Sequence, residues 1–242
     1  MNVVLKTNIG CARSENQDRV KAVMLNDDVA LAVLCDGMGG ENAGSEASQI
    51  AVDIVFDRIS GNFRQNSDEN SIKNLLISSV SAANSVINNK ATEENEKAGM
   101  GTTCVAVLVT KNMIHIINVG DSRAYLIDSN GIKQVTSDHT FVKMLFDQGK
   151  IQEHEMKSHP KRNYITKAVG VESKIEPDYY EIERNGKKTV LLCSDGLSNY
   201  CDDDEIYSII KQYPLEEAGD KLIELALNYQ GKDNITLAMI EI

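Results

Sequence analysis

Two aspartates each follow directly on an apolar, strand-like run. Asp36 follows the sequence VALAVLC, and Asp195 follows TVLLCS. A carboxylate held at the end of a buried strand is partly removed from water, so it needs a cation or hydrogen-bond donors beside it. Asp18 and Asp233 lie in polar segments near the two ends of the chain. Oxygen ligands drawn from several distant segments are what hard divalent ions such as Mg²⁺ and Mn²⁺ require.

A glycine-rich segment, Gly37-Met38-Gly39-Gly40, comes immediately after the first of these aspartates. Such a turn between a strand and a helix can present backbone N–H groups to a phosphate. The segment lacks a Gly-Lys-Ser/Thr ending, and Asn42 stands where a dinucleotide fingerprint needs glycine or alanine. We instead predict that Gly37 allows a metal to approach its carbonyl and that the later glycines permit a sharp exit into a helix. A plain tight turn is the alternative.

The elements that position these residues show no strict β-α-β alternation. Consecutive strand-like runs with short connections favour antiparallel sheets with helices layered outside them. A charged, aperiodic stretch at residues 90–99 is predicted to be a surface loop, and Asn185-Gly186 predicts a hairpin. The predicted strands are 3–7, the region around Ala30, 103–109, 113–119, 123–127, 132–135, 189–194 and 235–242, and the predicted helices are 43–59, 72–87, 202–211 and 215–229.

The length of 242 residues allows one large domain or two small ones. The sequence contains no internal repeat, low-complexity tract or linker rich in Pro or Gly. We therefore expect residues 1–242 to form a single domain.

Charge and cysteine content restrict the class of protein. A net charge of −11 opposes binding to nucleic acid or to an anionic membrane surface. The five cysteines form no C-x-x-C pair, which favours a reducing compartment. Residues 1–6 hold too short an apolar stretch for a signal peptide, and no apolar run is long enough to span a bilayer. We expect a soluble cytoplasmic protein.

Eight motifs, in order, resemble those of the metal-dependent PP2C-type (PPM) serine/threonine protein phosphatases, most closely their bacterial branch. The resemblance covers nearly the whole chain. The motifs are Arg13 to Asp18, Asp36-Gly37-Met38-Gly39-Gly40, Met100-Gly101-Thr102-Thr103, Gly120-Asp121-Ser122-Arg123, Ser137-Asp138-His139, His159-Pro160 with Asn163 and Ala168-Val169-Gly170, Ser194-Asp195-Gly196, and Asp233-Asn234.

The resemblance implies an α+β fold, an α-β-β-α sandwich of two antiparallel sheets flanked by helix pairs, with two Mn²⁺ or Mg²⁺ ions at one end. It further implies a bridging carboxylate, a backbone carbonyl ligand, an outer-sphere ligand acting through water, and a third metal as in bacterial relatives. The implied residues are Asp36 as the bridge, Gly37 as the carbonyl ligand, Asp195 and Asp233 as ligands of one ion, Asp18 in the outer shell, and Asp121 with Asp195 for the third ion.

The implied reaction is hydrolysis of phosphoserine and phosphothreonine. Two ions about 3.5–4 Å apart lower the pKa of a bridging water, and the resulting hydroxide attacks phosphorus in line. Arg13 matches the residue that clamps the substrate phosphate, a task suited to its planar fork of donors. The implied partners are phosphorylated proteins, including a Ser/Thr kinase and its substrates, and we expect a monomer.

The general acid is left open by the sequence. Met38 stands where animal members of the family carry a histidine that serves as general acid, and methionine has no proton to donate. Metal-bound water and another side chain are the alternatives, and His139 is the nearest candidate. A structural role for His139 at a helix start, beside Asp138 as the N-cap, is the competing interpretation. Gln17 stands where some relatives place a metal-associated glutamate.

Four further features have plainer interpretations. Residues 202–205 are acidic and precede a helix, which favours helix capping over metal binding. His115 is predicted to be structural, and Arg123 is predicted to pair with a site carboxylate. In the family, the segment 146–167 forms a mobile flap beside the active site. Its exposed basic residues either meet a phosphoprotein or are simply solvated.

Two other functions compete with protein phosphatase activity. The first is a non-catalytic, phosphoprotein-binding regulatory module of the same fold. Retention of Asp36, Asp195 and Asp233 together opposes it, because adjacent buried carboxylates without a metal repel one another. The second is a phosphatase of small phosphate esters. The chain has no Trp and no aromatic pair suited to stacking on a base.

Overall fold

The computed structural model describes residues 1–39 and 43–242. Gly40 and Asn42, which belong to the predicted turn, lie outside the described residues. The strands are β1 (Asn2–Asn8), β2 (Asp18–Asn26), β3 (Val29–Met38), β4 (Gly101–Thr102), β5 (Cys104–Val109), β6 (Met113–Val119), β7 (Arg123–Asp128), β8 (Gly131–Gln134), β9 (Asp178–Glu183), β10 (Thr189–Cys193) and β11 (Ile235–Glu241). The helices are α1 (Ala43–Asn62), α2 (Glu69–Glu93), α3 (Phe141–Asp147), α4 (Glu153–Met156), α5 (Asp195–Ser198), α6 (Asp203–Gln212) and α7 (Leu215–Asn228), with a short 3₁₀ turn at Asn95–Lys97.

The strands form two antiparallel sheets. One sheet has the order β1-β11-β10-β7-β8, and the other has the order β2-β3-β5-β6-β9, with β4 paired to β3. Helices α1 and α2 cover the outer face of the second sheet, while α6 and α7 cover the outer face of the first. The predicted α-β-β-α sandwich is therefore confirmed.

Alternation along β3 shows how the layers are built. Ala30, Ala32 and Leu34 belong to the apolar cluster between the two sheets, whereas Leu31 and Val33 pack toward α1 and α2. Both faces of the strand are buried, which explains the uninterrupted apolar run in the sequence. No helix in the part of the chain that the structure describes has the length and apolar character of a membrane span.

Two predictions about the elements were wrong, and several elements, β2 among them, were not predicted. Strand β2 was not predicted, because most of its residues are only partly buried and polar residues interrupt its apolar pattern. Helix α2 runs on to Glu93, into the predicted loop, with Lys90 in its last turn. Gly186 lies in a bend with a φ of +69°, but β9 pairs with β6 and β10 with β7 and β11, so this connection crosses between the sheets and makes no hairpin.

Candidate active site

A cavity of about 440 Å³ opens where several strands of the two sheets end. Four of the predicted metal-binding aspartates line it together, which satisfies the main expectation from the sequence that these remote carboxylates converge. The lining residues are Arg13, Ser14, Glu15, Gln17, Asp36, Gly37, Met38, Gly39, Asp121, Asn163, Ile165, Asp195, Asp233 and Asn234.

Strand pairing brings the first two carboxylates together. Asp18 begins β2 directly opposite Asp36 on β3. On both strands the same alternation that points Val20 and Leu34 between the sheets places these aspartates at the end of the inter-sheet layer. Asp18 is 3% exposed, so it lies behind the cavity wall and does not itself line the cavity.

The other carboxylates come from the opposite sheet. Asp195 starts α5 immediately after β10, and Asp233 precedes β11. These two strands pair with Cys193 opposite Leu237, which sets the two acidic residues near the same end of the sheet. Close approach here requires Gly196, because a Cβ at that position would collide with the carbonyl oxygen of Asn234.

The backbone of Asp36 is held by two threonines. Its N–H donates to Thr103 Oγ1 at 2.9 Å, and its carbonyl accepts from the N–H of Thr103 at 2.8 Å and from Thr102 Oγ1 at 2.8 Å. Thr103 is in turn bonded to Ser122 Oγ at 2.7 Å. The sequence contained these threonines within a motif, but no local signal assigned them this positioning role.

Gly37 is required for a reason that differs from the predicted one. A Cβ at Gly37 would collide with the carbonyl oxygen of Gly44 in the first turn of α1 and crowd that of Gln17. The absent side chain therefore admits the neighbouring helix, and the role of the Gly37 carbonyl toward an ion stays a prediction. Gly39 has a φ of +144°, which fits the predicted sharp exit from the strand.

The aspartates are electrostatically frustrated when no cation accompanies them. Burial raises the pKa of Asp18 to about 6, and repulsion from Asp233 adds to the rise. Hydrogen bonds from Ser194 and Thr236 act against it. Burial and repulsion from Asp138 raise the pKa of Asp121 to about 7.

Asp36 and Asp195 show the same frustration more strongly. Burial raises the pKa of each well above its usual range, and the neighbouring carboxylates add to the rise. Within residues 1–39 and 43–242, Arg13 is the only cationic side chain that lines the cavity. One guanidinium against this group of carboxylates leaves an excess of negative charge.

The residues present fit divalent ions. In the part of the chain that the structure describes, Asp18 Oδ1 and Asp121 Oδ1 are buried and have no hydrogen-bond partner. An unpaired buried carboxylate oxygen is costly unless a cation meets it. Within the same residues, no three His, Cys, Asp or Glu side chains surround one point closely enough to hold an ion unaided. The cavity suits ions such as Mg²⁺, which keep several water ligands.

Arg13 lies at the mouth of the cavity on the loop before β2. Its Nη2 donates to Asp233 Oδ2 at 2.7 Å, and its side chain is 54% exposed. Asp233, through this hydrogen bond and its charge, raises the pKa of Arg13 despite partial burial. Because only one nitrogen is used in this contact, the remaining N–H groups of the guanidinium are available to a ligand.

Asn234 links the loop that carries Arg13 to the segment that carries Asp233. Its Nδ2 donates to the carbonyls of Ile9 at 2.8 Å and Glu15 at 3.0 Å, and its Oδ1 accepts from the N–H of Gln17 at 2.8 Å. Asn234 is buried, so these are strong positional restraints. Gln17 lines the cavity and its side chain contacts Glu15 at 3.4 Å.

Comparison with known proteins identifies the family. A family model described as protein phosphatase 2C matches residues 12–235. The chain belongs to the protein phosphatase 2C family. The serine/threonine phosphatase stp of Listeria welshimeri is 36% identical over 242 residues, covering 100% of this chain and 96% of that protein. Serine/threonine protein phosphatase PstP of Mycobacterium tuberculosis is 34% identical over 96% of this chain, but that match covers 43% of PstP.

Solved structures agree with the family assignment. The crystal structure of Stp1 from Staphylococcus aureus superposes with a TM-score of 0.93 at 38% identity, covering 99% of this chain and 94% of that one. The catalytic domain of PstP in complex with two manganese ions superposes with a TM-score of 0.87 at 32% identity, covering 100% and 98%.

In this protein phosphatase 2C chain, His139 lies outside the cavity lining. Its Nδ1 accepts from the N–H of Gly120 at 3.0 Å, and its Nε2 lies 3.2 Å from Asp178 Oδ2. Burial and the nearby Lys167 lower the pKa of His139, against the attraction of Asp178. These contacts place the imidazole of His139 beside the backbone of Gly120, the residue that precedes Asp121.

The predicted N-cap beside His139 was wrong. Thr140 caps α3 and accepts from the N–H of Lys143, whereas Asp138 forms an ion pair with Arg123, with Nη2 and Oδ2 2.7 Å apart. Arg123 was expected to pair with a site carboxylate, but Asp138 is not one of the cavity-lining residues. The ion pair is mostly buried, and its Asp138 carboxylate raises the pKa of Asp121 while its Arg123 guanidinium lowers it.

Two plainer interpretations are confirmed. Only part of the segment 146–167 lines the cavity. His115 is 1% exposed and bonds Tyr179 Oη at 2.7 Å, as expected of a structural residue. Asp202 and Glu205 form a capping box at the start of α6. In the segment 146–167, Asn163 and Ile165 line the cavity, whereas His159, Lys161 and Arg162 do not.

Proposed function

We propose that this chain removes phosphate from phosphoserine and phosphothreonine in proteins, using Mn²⁺ or Mg²⁺. The observation that carries this proposal is the shared cavity, which is lined by Asp36, Asp121, Asp195 and Asp233 and, among the described residues, by Arg13 as the one cationic side chain. A phosphate monoester could not approach so many unscreened carboxylates. With divalent ions present, the same carboxylates become a phosphate-binding site.

We propose the following division of roles among the metal-binding residues. Asp36, the Gly37 carbonyl, Asp195 and Asp233 hold the two ions, Asp121 with Asp195 serves a third, and Asp18 acts from the outer shell. Bound ions supply a water of lowered pKa as nucleophile and neutralise charge on the phosphoryl oxygens. Thr102 and Thr103 fix the backbone of Asp36 for this purpose.

Arg13 is proposed to orient the substrate phosphate. Its guanidinium is held at the mouth of the cavity by Asp233 and keeps donors free on the exposed side. Charge-assisted, paired hydrogen bonds from such a fork fix both the position and the rotation of a phosphate. In-line attack depends on that orientation.

The leaving group takes its proton from water in the cavity under this proposal. Met38 lines the cavity but has no proton to give. His139 uses Nδ1 to hold Gly120 and directs Nε2 toward Asp178. We therefore assign His139 a positioning role for the Gly120–Asp121 turn, acting on catalysis through that turn rather than by direct proton transfer.

Substrates and setting follow from the same reasoning. We propose that the chain reverses the action of a Ser/Thr kinase on proteins, the kinase included, and acts as a monomeric single domain over residues 1–242. All five cysteines are free, and four of them are buried. That pattern supports a reducing setting such as the cytoplasm.

The test is phosphate release from a phosphothreonine peptide with Mn²⁺, with and without excess chelator. We expect turnover to require Mn²⁺ and to fall more than about 100-fold in Asp36→Asn, because even outer-shell changes at metal sites cost about 10–100-fold. Asp57→Asn, a carboxylate exposed on α1, is the matched control. Chelator-insensitive turnover, or full activity in Asp36→Asn, would refute the proposal. Bound metal measured on the same samples links any loss of activity to loss of ions.

A further inference from the structure

A second cavity of about 200 Å³ adjoins the catalytic one. The two cavities share Met38 and Ile165 as a common wall. The far wall of the second cavity is the irregular segment before β9, which contributes the apolar side chains of Ala168, Val171 and Ile175. We call this cavity the flanking pocket.

The wall of the flanking pocket is fixed by two asparagines of α2. Asn84 Nδ2 donates to the carbonyl of Glu172 at 2.9 Å, and Asn84 Oδ1 accepts from the N–H of Gly170 at 2.7 Å. Asn88 Nδ2 donates to the carbonyls of Gly170 and Val171 at 3.0 and 3.2 Å. A segment without regular secondary structure is thereby held in place by side chains, so the pocket is formed before any ligand arrives.

Val171 is the unusual member of this wall. It is 43% exposed, although both its own carbonyl and that of Glu172 are anchored. An apolar side chain kept in water on an anchored segment does not serve the core. Beside a cavity that takes a phosphorylated residue, it offers a contact for the neighbouring residues of the same ligand.

The charges at the rim do not select a charged ligand. Lys167 is engaged by the carbonyl of Glu176 at 2.9 Å and by Asp178 at 3.1 Å. The other ionisable side chains of the lining, Glu172, Lys174 and Glu176, are exposed and of mixed sign. An uncharged occupant therefore fits the pocket better than an acidic or basic one.

We propose that the flanking pocket binds an aliphatic side chain, of the size of Leu, Ile or Met, that lies within two residues of the phosphorylated Ser or Thr. This inference rests on the proposed protein phosphatase function and specifies which substrates the site prefers. An extended chain advances about 3.3–3.6 Å per residue, so one or two residues carry it across the shared wall. A cavity of about 150 Å³ already accepts benzene, so the volume suffices for such a side chain.

The experiment compares phosphothreonine peptides that differ only in one residue, taken as Leu, Ser, Asp or Lys, at each of the two positions on either side. The readout is kcat/KM with Mn²⁺, divided by kcat/KM for p-nitrophenyl phosphate on the same enzyme to remove any loss of folded protein. We expect Leu to be preferred over Ser about tenfold or more at one of these positions, since burial of a few apolar carbons gives discrimination of that order.

Two variants test the location. Val171→Ser and Val171→Glu are expected to reduce the leucine preference at that position to less than about twofold. The matched control is Val86→Glu, at an exposed position of α2 outside both cavities. It is expected to keep the leucine preference.

The possible failures are distinguishable. Three results would show that the flanking pocket does not bind an aliphatic side chain of the substrate. They are equal kcat/KM for all flanking residues, a preference for Asp or Lys, and a leucine preference that survives both Val171 substitutions. Absence of Mn²⁺-dependent phosphate release from every substrate would instead overturn the proposed function.

Discussion

Asp18 and Asp36 lie directly opposite each other on neighbouring antiparallel strands, at the end of the layer between the two sheets. Like charges in this relation destabilise a sheet. One oxygen of Asp18 is relieved by Ser194 Oγ, which donates to Oδ2 at 2.8 Å, but Oδ1 has no partner among the described residues. The fold thus keeps a local repulsion that divalent ions in the adjoining cavity are placed to cancel.

Asp18 and Asp121 are expected to destabilise the metal-free protein as pH rises from about 4 to about 7, whereas His115 and His139, whose pKa values burial lowers, act in the opposite direction up to about pH 6.5. The pKa values of Asp18 and Asp121 are raised to about 6 and about 7, from 3.8 in the unfolded chain. Between these limits the folded state binds more protons, so the free energy of unfolding falls with rising pH. The contribution is complete below about pH 4 and lost above about pH 7.

Thermal unfolding in chelator across this range measures the effect, with a parallel series in saturating Mn²⁺. The ions bind the deprotonated carboxylates, so their stabilisation should grow with pH and offset the decline. In chelator, wild type and Asp121→Asn should differ in how the melting temperature changes with pH, and the same pH dependence for both would contradict this prediction.

Asp18→Asn is expected to stabilise the metal-free protein at pH 7.5 while weakening its stabilisation by Mn²⁺. The substitution removes one of two facing charges and keeps an oxygen for Ser194. Cross-strand pairs are worth about 0.2–1 kcal/mol, which corresponds to a rise of about 0.4–4 °C in melting temperature for a chain of this size. Asp57→Asn, an exposed residue of α1 outside the cavity lining, should not change the stabilisation by Mn²⁺. A lower melting temperature for Asp18→Asn in chelator would count against the repulsion.

The positions of Asp36 and Asp195 were predictable from the sequence because each follows the apolar run of a strand buried on both faces. The facing position of Asp18 was not, since β2 has a mixed pattern and its pairing with β3 depends on tertiary contacts. The layered fold followed from the order of elements and from the family resemblance. The failure at Asn185-Gly186 has a clear reason, because a local turn signal does not report which sheet the next strand joins.

The positioning residues were beyond sequence reasoning for a different reason. Asn234 and Thr103 act through bonds to backbone groups 217 and 67 residues away in the chain. Such bonds leave no periodicity or spacing behind. His139 was noticed for its chemistry, whereas the structure shows it bonded to the backbone of Gly120. Residue type indicated the proposed metal-binding groups, but only the fold revealed which residues hold them in position.

Arg13→Lys is expected to lower kcat/KM for a phosphopeptide about 10–100-fold. A lysine keeps the charge but loses the paired geometry, and a hydrogen bond to a charged group is worth about 1.5–3 kcal/mol. Steady-state kinetics on Arg13→Lys and Arg13→Ala measure the loss, with Arg64→Lys, an exposed residue that bonds backbone carbonyls near its own position, as the control. Equal kcat/KM for wild type and Arg13→Lys would show that Arg13 does not orient the phosphate.

Asn234→Ala is expected to destabilise the protein and to uncouple the Arg13 loop from Asp233. The substitution leaves two carbonyls and one N–H without their partner, at a cost of about 1–3 kcal/mol each where they stay buried. Because Arg13 then loses its anchored position, KM for a phosphopeptide should rise even at temperatures at which the variant is fully folded. Hydrogen exchange should quicken at residues 9–17 and remain slow in β5 and β6. The control is Asn185→Ala, which removes one exposed hydrogen bond. If Asn234→Ala kept slow exchange at residues 9–17 and a normal KM, the tie from Asn234 to the phosphate-binding loop would be wrong.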